Sequence, residues 1–218
     1  MTIARTPLHD LQFDAVLFDM DGTLVDSTAA VERSWRTWAG EHDVTVAALA
    51  GSHGRPAVEI VADVLAADLV SAALARIIAL EIADTDGVVP LPGAVDALSA
   101  LPPGAAAIVT SCTGDLAAAR IAAAHVVGGD EHRRCRQPGR GKPDPEPFLL
   151  AARRLGVDPR RCLVVEDAPA GLAAGRAAGA TTLAVAGTHR HDQLDADAGV
   201  PDLSHVRFTG AAGTVRLA

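Results

Sequence analysis

The chain has no tyrosine, and aromatic residues make up only 3% of its 218 positions. Unpaired bases bind by stacking on rings, so this scarcity argues against single-stranded nucleic acid as a ligand. Positive charge is short as well: 19 Lys and Arg stand against 27 Asp and Glu, a net charge of −8. The isoelectric point is near 5.4. No general attraction to nucleic acid or to an anionic membrane follows from such a balance, and an anionic substrate must be held by local charge and a metal. The three cysteines, Cys112, Cys135 and Cys162, are isolated and odd in number. They fit a reducing cytoplasm better than a disulfide framework. No long apolar run free of charge is found, nor a basic-then-apolar N-terminus, so the expectation is a cytoplasmic protein without a membrane span or signal peptide. What the chain does have is core-forming material. With 49% hydrophobic and 21% charged residues, it can build a full α/β core and a small second domain.

The most informative run is Phe18-Asp19-Met20-Asp21-Gly22-Thr23-Leu24-Val25-Asp26-Ser27. It follows an apolar stretch, Ala15 to Phe18, that reads as a buried strand. In extended chain, residues two apart face the same way. Asp19 and Asp21 are thus placed together at a strand end, and Gly22 lets the backbone turn out of the sheet. One acid can attack an electrophile while the other moves a proton. The alternative is a surface Asp-rich turn.

The first 13 residues read as a loosely held tail. Asp26, Ser27 and Thr28 are helix N-cap candidates, and Val31, Trp35 and Trp38 recur at helical spacing to about Glu41. Further helices are expected from Pro56 through Leu65 and from Leu69 to Ala83. From Ser27 to about Val89 the pattern is helical with no strand-like run, an all-helical insert in which Trp35 and Trp38 belong to the core. The breaker cluster Pro90-Leu91-Pro92-Gly93 reads as the return linker. Strand and helix then alternate: helix 93–101, strand 105–110, helix 114–124, helix 145–155 stopped by Gly156, strand 162–165, helix 169–178 stopped by Gly179, strand 182–185. Such alternation implies right-handed crossovers and a mostly parallel sheet. The cluster His189-Arg190-His191 lacks a third metal ligand and reads as a solvated loop.

Strand ends carry Asp19 with Asp21, Thr110 with Ser111, and Glu166 with Asp167, and Lys142 follows a loop. In a parallel sheet all these ends share one edge, where open α/β folds bind ligands. Acids, one lysine and a hydroxyl are what phosphoryl transfer to a carboxylate requires. Carboxylate oxygens suit Mg2+, and Lys142 and Ser111 can neutralise phosphoryl oxygens. Asp19 is the candidate nucleophile, and Asp21 the acid that protonates the leaving alkoxide and then activates water. Asp19, Asp21, Glu166 and Asp167 are the candidate metal ligands, with Glu166 or Asp167 acting directly and the other through water or a neighbour. Ser111 could instead cap the helix beginning near Gly114, and Lys142 could be a plain surface lysine.

On these residues the chain resembles a haloacid dehalogenase superfamily phosphatase with a helical cap inserted after the first motif. Phe18–Ser27 is similar to the first motif, Ile108–Ser111 to the second, Gly141-Lys142-Pro143 to the third and Val164–Ala168 to the fourth. The resemblance, from about Phe13 to Val185, implies a Rossmann-like three-layer core of residues 1–26 and 90–218 and a cap of residues 27–89. An Asp at position 21 is similar to phosphatases and phosphomutases; the dehalogenases lack it, and transport ATPases carry Thr there. Asp26–Trp35, Glu166–Gly171 and Ser52-His53-Gly54-Arg55 resemble bacterial sugar and polyol phosphate phosphatases. This implies substrate contacts from His53 and Arg55 in a cap loop; the alternative is two solvated loop residues. The implied activity is Mg2+-dependent hydrolysis of a small sugar or polyol phosphate, with no nucleic acid or membrane partner. Two rivals stand beside it: a phosphomutase of the β-phosphoglucomutase type, and a catalytically impaired binding protein.

One segment departs from the family pattern. Relatives place a short strand and an acidic turn before the lysine. Here residues 126–140 are charged and rich in glycine, with almost no β-former after Val127. Family-like length with foreign composition points to a locally altered reading frame or to divergence. Either way the expectation is a mobile loop without sheet pairing, and a Lys142 less firmly placed.

Overall fold

A computed structural model describes residues 11–49, 56–126, 140–211 and 214–217. The chain opens with β1 (Gln12–Phe13) and β2 (Ala15–Phe18). After β3 (Val25–Asp26) come three helices, α1 (Thr28–Glu41), α2 (Ala57–Val64) and α3 (Val70–Ala83). The return begins at β4 (Val89–Pro90) and continues through α4 (Ala94–Ser99), β5 (Ala106–Ile108) and α5 (Gly114–Ala123). Then follow α6 (Glu146–Leu155), β6 (Cys162–Glu166), α7 (Pro169–Ala177) and β7 (Thr181–Val185). The last elements are β8 (Ala198–Val200), β9 (Phe208–Ala211) and β10 (Thr214–Leu217).

Five strands form one parallel sheet in the order β5-β2-β6-β7-β8. β2, β5 and β6 are buried at every position, which is why they read as unbroken apolar runs rather than alternating ones. Successive side chains pack on opposite faces. Val16, Phe18, Leu163 and Val165 join Ala97, Leu98 and Ala117 of α4 and α5. Ala15, Leu17, Cys162 and Val164 join Phe148, Ala151 and Ala174 of α6 and α7. The result is a three-layer α/β core. The sheet runs from β2 to β5 on one side and from β2 to β6 on the other. The order therefore reverses at β2, and that crevice is where such sheets hold ligands.

Helices α1, α2 and α3 enclose a core of their own around Trp38, Ala39, Val61, Ala73 and Ile77. The Trp38 indole is fully buried and donates to Ala73 O at 2.8 Å, and Trp35 packs edge-on against it. Arg33 pairs with Asp84 through two hydrogen bonds, joining α1 to the end of α3.

Three expectations need correction. Gln12 and Phe13 are not loose tail: they pair with Arg216 and Val215 of β10, and Phe13 is buried. The helical run does not reach Val89 without strand. Val25 and Asp26 pair antiparallel with Pro90 and Val89, so a two-strand ribbon carries the chain out to the helices and back. Such a pair tolerates Pro90 because edge strands need not donate from every residue. Finally, Ser27 precedes α1 but makes no side-chain cap; Asp26 instead accepts from the Thr28 N–H at 3.0 Å. The loop expected across 126–140 lies outside the described residues apart from its ends, Val126, which is buried, and exposed Arg140. Among the described residues no helix is long and apolar enough to cross a membrane.

Candidate active site

Asp19 leaves the end of β2 between two neighbours. Its N–H donates to Val165 O at 2.9 Å, and Phe18 O accepts from Val109 N–H at 2.7 Å. The chain then turns sharply at Gly22, where φ is +84°. A Cβ at Gly22 would stand 2.2 Å from Asp167 Oδ2. Both the backbone angle and the close approach thus require glycine there.

Four charged groups meet at this edge. Lys142 Nζ donates to Asp19 Oδ1 at 2.5 Å and to Glu166 Oε1 at 2.6 Å, with the Lys142 side chain only 8% exposed. Its ammonium also lies 5.3 Å from the centroid of the Phe148 ring, a favourable cation–π placement. The second oxygen of Glu166 accepts the N–H groups of Asp167 and Ala168, each at 3.0 Å. Glu166 is thus fully engaged, one oxygen on Lys142 and the other on the backbone at the start of α7. A Cβ at Gly171 would sit 1.7 Å from Glu166 Oε1, so only glycine lets α7 come this close. Asp167 Oδ2 accepts from both the N–H (2.8 Å) and the hydroxyl (2.5 Å) of Thr188.

Oxygens of Asp19, Glu166 and Asp167 all lie within 4.8 Å of one another, and all three residues are buried. Three carboxylates face one ammonium. Burying unbalanced charge is expensive, and hard oxygens in this number suit a divalent cation such as Mg2+. The residues present therefore fit a metal. The Asp21 carboxylate is not in this group.

Burial pushes the Asp19 carboxyl up to about 7, with Lys142 pulling the other way. Glu166 and Asp167 are raised too, again chiefly by burial. The folded state then holds these protons more tightly than the unfolded chain. Stability from this cluster is present in acid and is lost as pH rises through about 7. In chelator, the melting temperature is expected to be lower at about pH 8 than at about pH 5.5, with a flatter profile in Asp19→Asn. A parent profile that rises across that window contradicts this electrostatic account.

Asp21 stands beside this cluster in a different setting. Its Oδ1 accepts from Ser27 Oγ at 2.7 Å. Its Oδ2 accepts from Arg120 Nη1 at 2.9 Å and from the Cys112 thiol at 3.1 Å. Burial and the neighbouring Asp21 raise the Cys112 thiol well above the usual range, so it stays protonated and donates.

The other expected site residues are distributed as follows. Thr110 is buried two residues beyond β5, and its hydroxyl accepts from the Cys112 N–H at 3.1 Å. Ser111 is exposed at the same edge and is not the helix cap; Thr113 is, accepting from Leu116 N–H at 3.4 Å. His53 and Arg55 lie outside the described residues. Arg190 pairs with Asp192 on the surface, as a solvated loop residue would. Thr188 and Arg120 were not expected. Thr188 is an unremarkable loop threonine in sequence. Arg120 left a signal: it falls four residues after Leu116 on the buried stripe of α5, where a lone charge demands a partner.

Comparison with known proteins gives a consistent picture. Residues 13–179 match the haloacid dehalogenase-like hydrolase family. Hexitol phosphatase A of Escherichia coli is 41% identical over 189 residues, covering 82% of this chain and 87% of the relative. Glycerol-1-phosphate phosphohydrolase 1 of Saccharomyces cerevisiae is 33% identical over 213 residues, covering 89% and 82%. Among solved structures, a hydrolase from Pseudomonas syringae superposes with a TM-score of 0.74 at 22% identity, over 87% of this chain and 94% of that one.

Proposed function

The chain belongs to the haloacid dehalogenase-like hydrolases, and we propose that it is a Mg2+-dependent phosphatase acting on a small sugar or polyol phosphate through a phosphoryl-Asp19 intermediate. The observation that carries this reading is the buried meeting of Asp19 with Lys142, Glu166 and Asp167 at one sheet edge.

In the first step a carboxylate oxygen of Asp19 attacks phosphorus and the ester P–O bond breaks. The leaving alkoxide takes a proton from the Asp21 carboxylic acid. In the second step water attacks the same phosphorus and gives its proton to the Asp21 carboxylate. The bond to Asp19 breaks, and inorganic phosphate leaves. Lys142 neutralises equatorial oxygen charge from a buried position, where a fixed cation is most effective. Glu166 holds Lys142 in place and bridges it to the backbone. Ser111 and Thr110, just beyond the end of the neighbouring strand, would contact the phosphoryl group. A divalent cation would be held by Asp19, Asp167 and the surrounding acids, and when bound would offset phosphoryl charge.

The substrate class rests on the relatives, whose names specify hexitol and glycerol phosphates. Residues 27–89 are assigned as the cap and 1–26 with 90–218 as the core, and His53 and Arg55 as the cap's contacts to substrate hydroxyls. A panel of sugar and polyol phosphates, scored for free phosphate with and without chelator, tests the reading. Phosphate release that falls in chelator and returns with Mg2+ is expected. Isomerised sugar phosphate without phosphate release would make the protein a mutase. No reaction with any panel member or with an aryl phosphate would leave a binding protein.

A further inference from the structure

Glu81 and Arg120 are charged residues on otherwise apolar stripes. On α3 the buried positions are Ala73, Ile77 and Glu81, each four apart, and on α5 they are Leu116, Ala117 and Arg120. Residues at that spacing share one face. The two helices turn these faces to each other, and the charges meet. Arg120 Nη2 lies 3.4 Å from Glu81 Oε1, with side chains only 6% and 9% exposed. The other arm of the same guanidinium reaches Asp21 at 2.9 Å. One buried cation is therefore divided between a carboxylate of the helical insert and the proposed proton-transfer acid of the core. The Trp35 indole supports Glu81 from α1.

From this geometry we propose that Arg120 and Glu81 are positioning residues that fix the orientation of Asp21 and make it depend on the seating of α3 against the core. The idea rests on the reading of Asp21 as acid and base. A planar guanidinium with separate arms can hold two carboxylates at fixed angles, which an ammonium cannot. Ser27, at the start of α1, and Cys112, beyond β5, also hold Asp21, but neither reaches α3. Arg120 alone, among the described residues, links Asp21 to a residue of α3. With Arg120 removed, Asp21 keeps partners yet loses the arm that sets its angle. Glu81 then stands buried without its cation.

The test uses the full chain. Arg120→Gln should lower kcat about 10²-fold, the scale of a misplaced catalytic group, with KM changed less than about threefold. Glu81→Gln should lower kcat in the same direction, and the double variant should be no worse than Arg120→Gln, since the residues act as one unit. Arg120→Lys keeps the charge and should restore the parent melting temperature without restoring kcat. A readout independent of turnover uses the chain's two tryptophans, of which Trp35 borders Glu81. Asp21→Asn should shift their emission through Arg120 and Glu81, and Asp19→Asn should not. The proposal is overturned if Arg120→Gln keeps kcat within threefold, if the two substitutions add, or if Arg120→Lys restores kcat along with stability. It is also overturned if Asp21→Asn leaves the emission unchanged where Glu81→Gln shifts it. If Arg120→Gln fails to fold, Arg120→Lys and the emission measurements decide. If the parent releases no phosphate from any ester, the functional reading falls, while the emission comparison still judges the link.

Discussion

Asp19→Asn is expected to remove turnover almost entirely, by about 10⁵-fold or more, while the protein stays folded. The amide has the carboxylate's shape but neither its charge nor a lone pair fit to attack phosphorus. Lys142 keeps its second carboxylate, Glu166, at 2.6 Å, so the ammonium is not stranded. The variant also removes one of three crowded negative charges. In chelator at neutral pH it should therefore melt at or above the parent temperature, because the parent must ionise an Asp19 whose pKa burial has raised to about 7. Loss of activity with unchanged or higher stability is the signature of a group retained for chemistry against the interest of the fold. Turnover within tenfold of the parent would take Asp19 out of the mechanism. A lower melting temperature in chelator would instead show that the Asp19–Lys142 pair stabilises more than the crowded acids repel.

Glu166 shows how the same strand end serves folding and function. Its two oxygens are taken by Lys142 and by two backbone N–H groups at the head of α7. Backbone donors at a helix start favour a negative charge, so Glu166 keeps a defined position even though it is buried. Lys142 stands in a turn before α6, and this acid fixes where its ammonium stops. The composition of residues 126–140 suggested a loosely held Lys142. The described part of the chain shows it buried among Asp19, Glu166 and the Phe148 ring.

The elements legible in the sequence were those with one strong local signal. β2, β5 and β6 appear as continuous apolar runs because both sheet faces are covered. α6 ends where Gly156 takes a φ of +73°. Asp19, Asp21, Thr110, Glu166 and Asp167 were readable because a parallel sheet delivers strand ends to one edge. The ribbon of β3 and β4 was not readable, since two residues a side carry no period. Nor was the sheet of β1, β9 and β10, which joins chain segments about 200 residues apart, with Phe13 and Phe208 buried in the core. Extended-chain alternation predicted that Asp19 and Asp21 share a setting. The two acids do have separate hydrogen-bond partners, Lys142 for one and Ser27, Cys112 and Arg120 for the other, although Asp21 stays near enough to add to burial in raising the Asp19 carboxyl. Glu81 and Arg120 were visible only as polar interruptions of apolar stripes, and nothing in one stripe announces which other stripe will face it.

That separation of the two aspartates shapes the second large effect. Asp21→Asn should slow phosphate release by about 10²–10⁴-fold, the usual worth of general acid–base help, and it should act on both halves of the reaction. The first half loses the proton donor to the leaving alkoxide, and the second loses the base that activates water. The two can be told apart by substrate. An aryl phosphate has a leaving group that departs without a proton, so the first half is largely spared and phosphoryl-Asp19 should accumulate. A polyol phosphate offers a poor leaving group, so the first half itself becomes slow and little intermediate builds up. Rapid mixing, scored for a burst of aryl alcohol and for acid-trapped phosphoprotein, distinguishes these cases. The structure favours a clean reading, because an asparagine at this position can keep its carbonyl oxygen toward Arg120 and Cys112 while its amide donates to the Ser27 hydroxyl, which accepts as readily as it donates. A burst with the aryl ester and none with the polyol ester is the expected result. Equal steady-state rates for parent and Asp21→Asn on both esters would mean that the proton passes through another group.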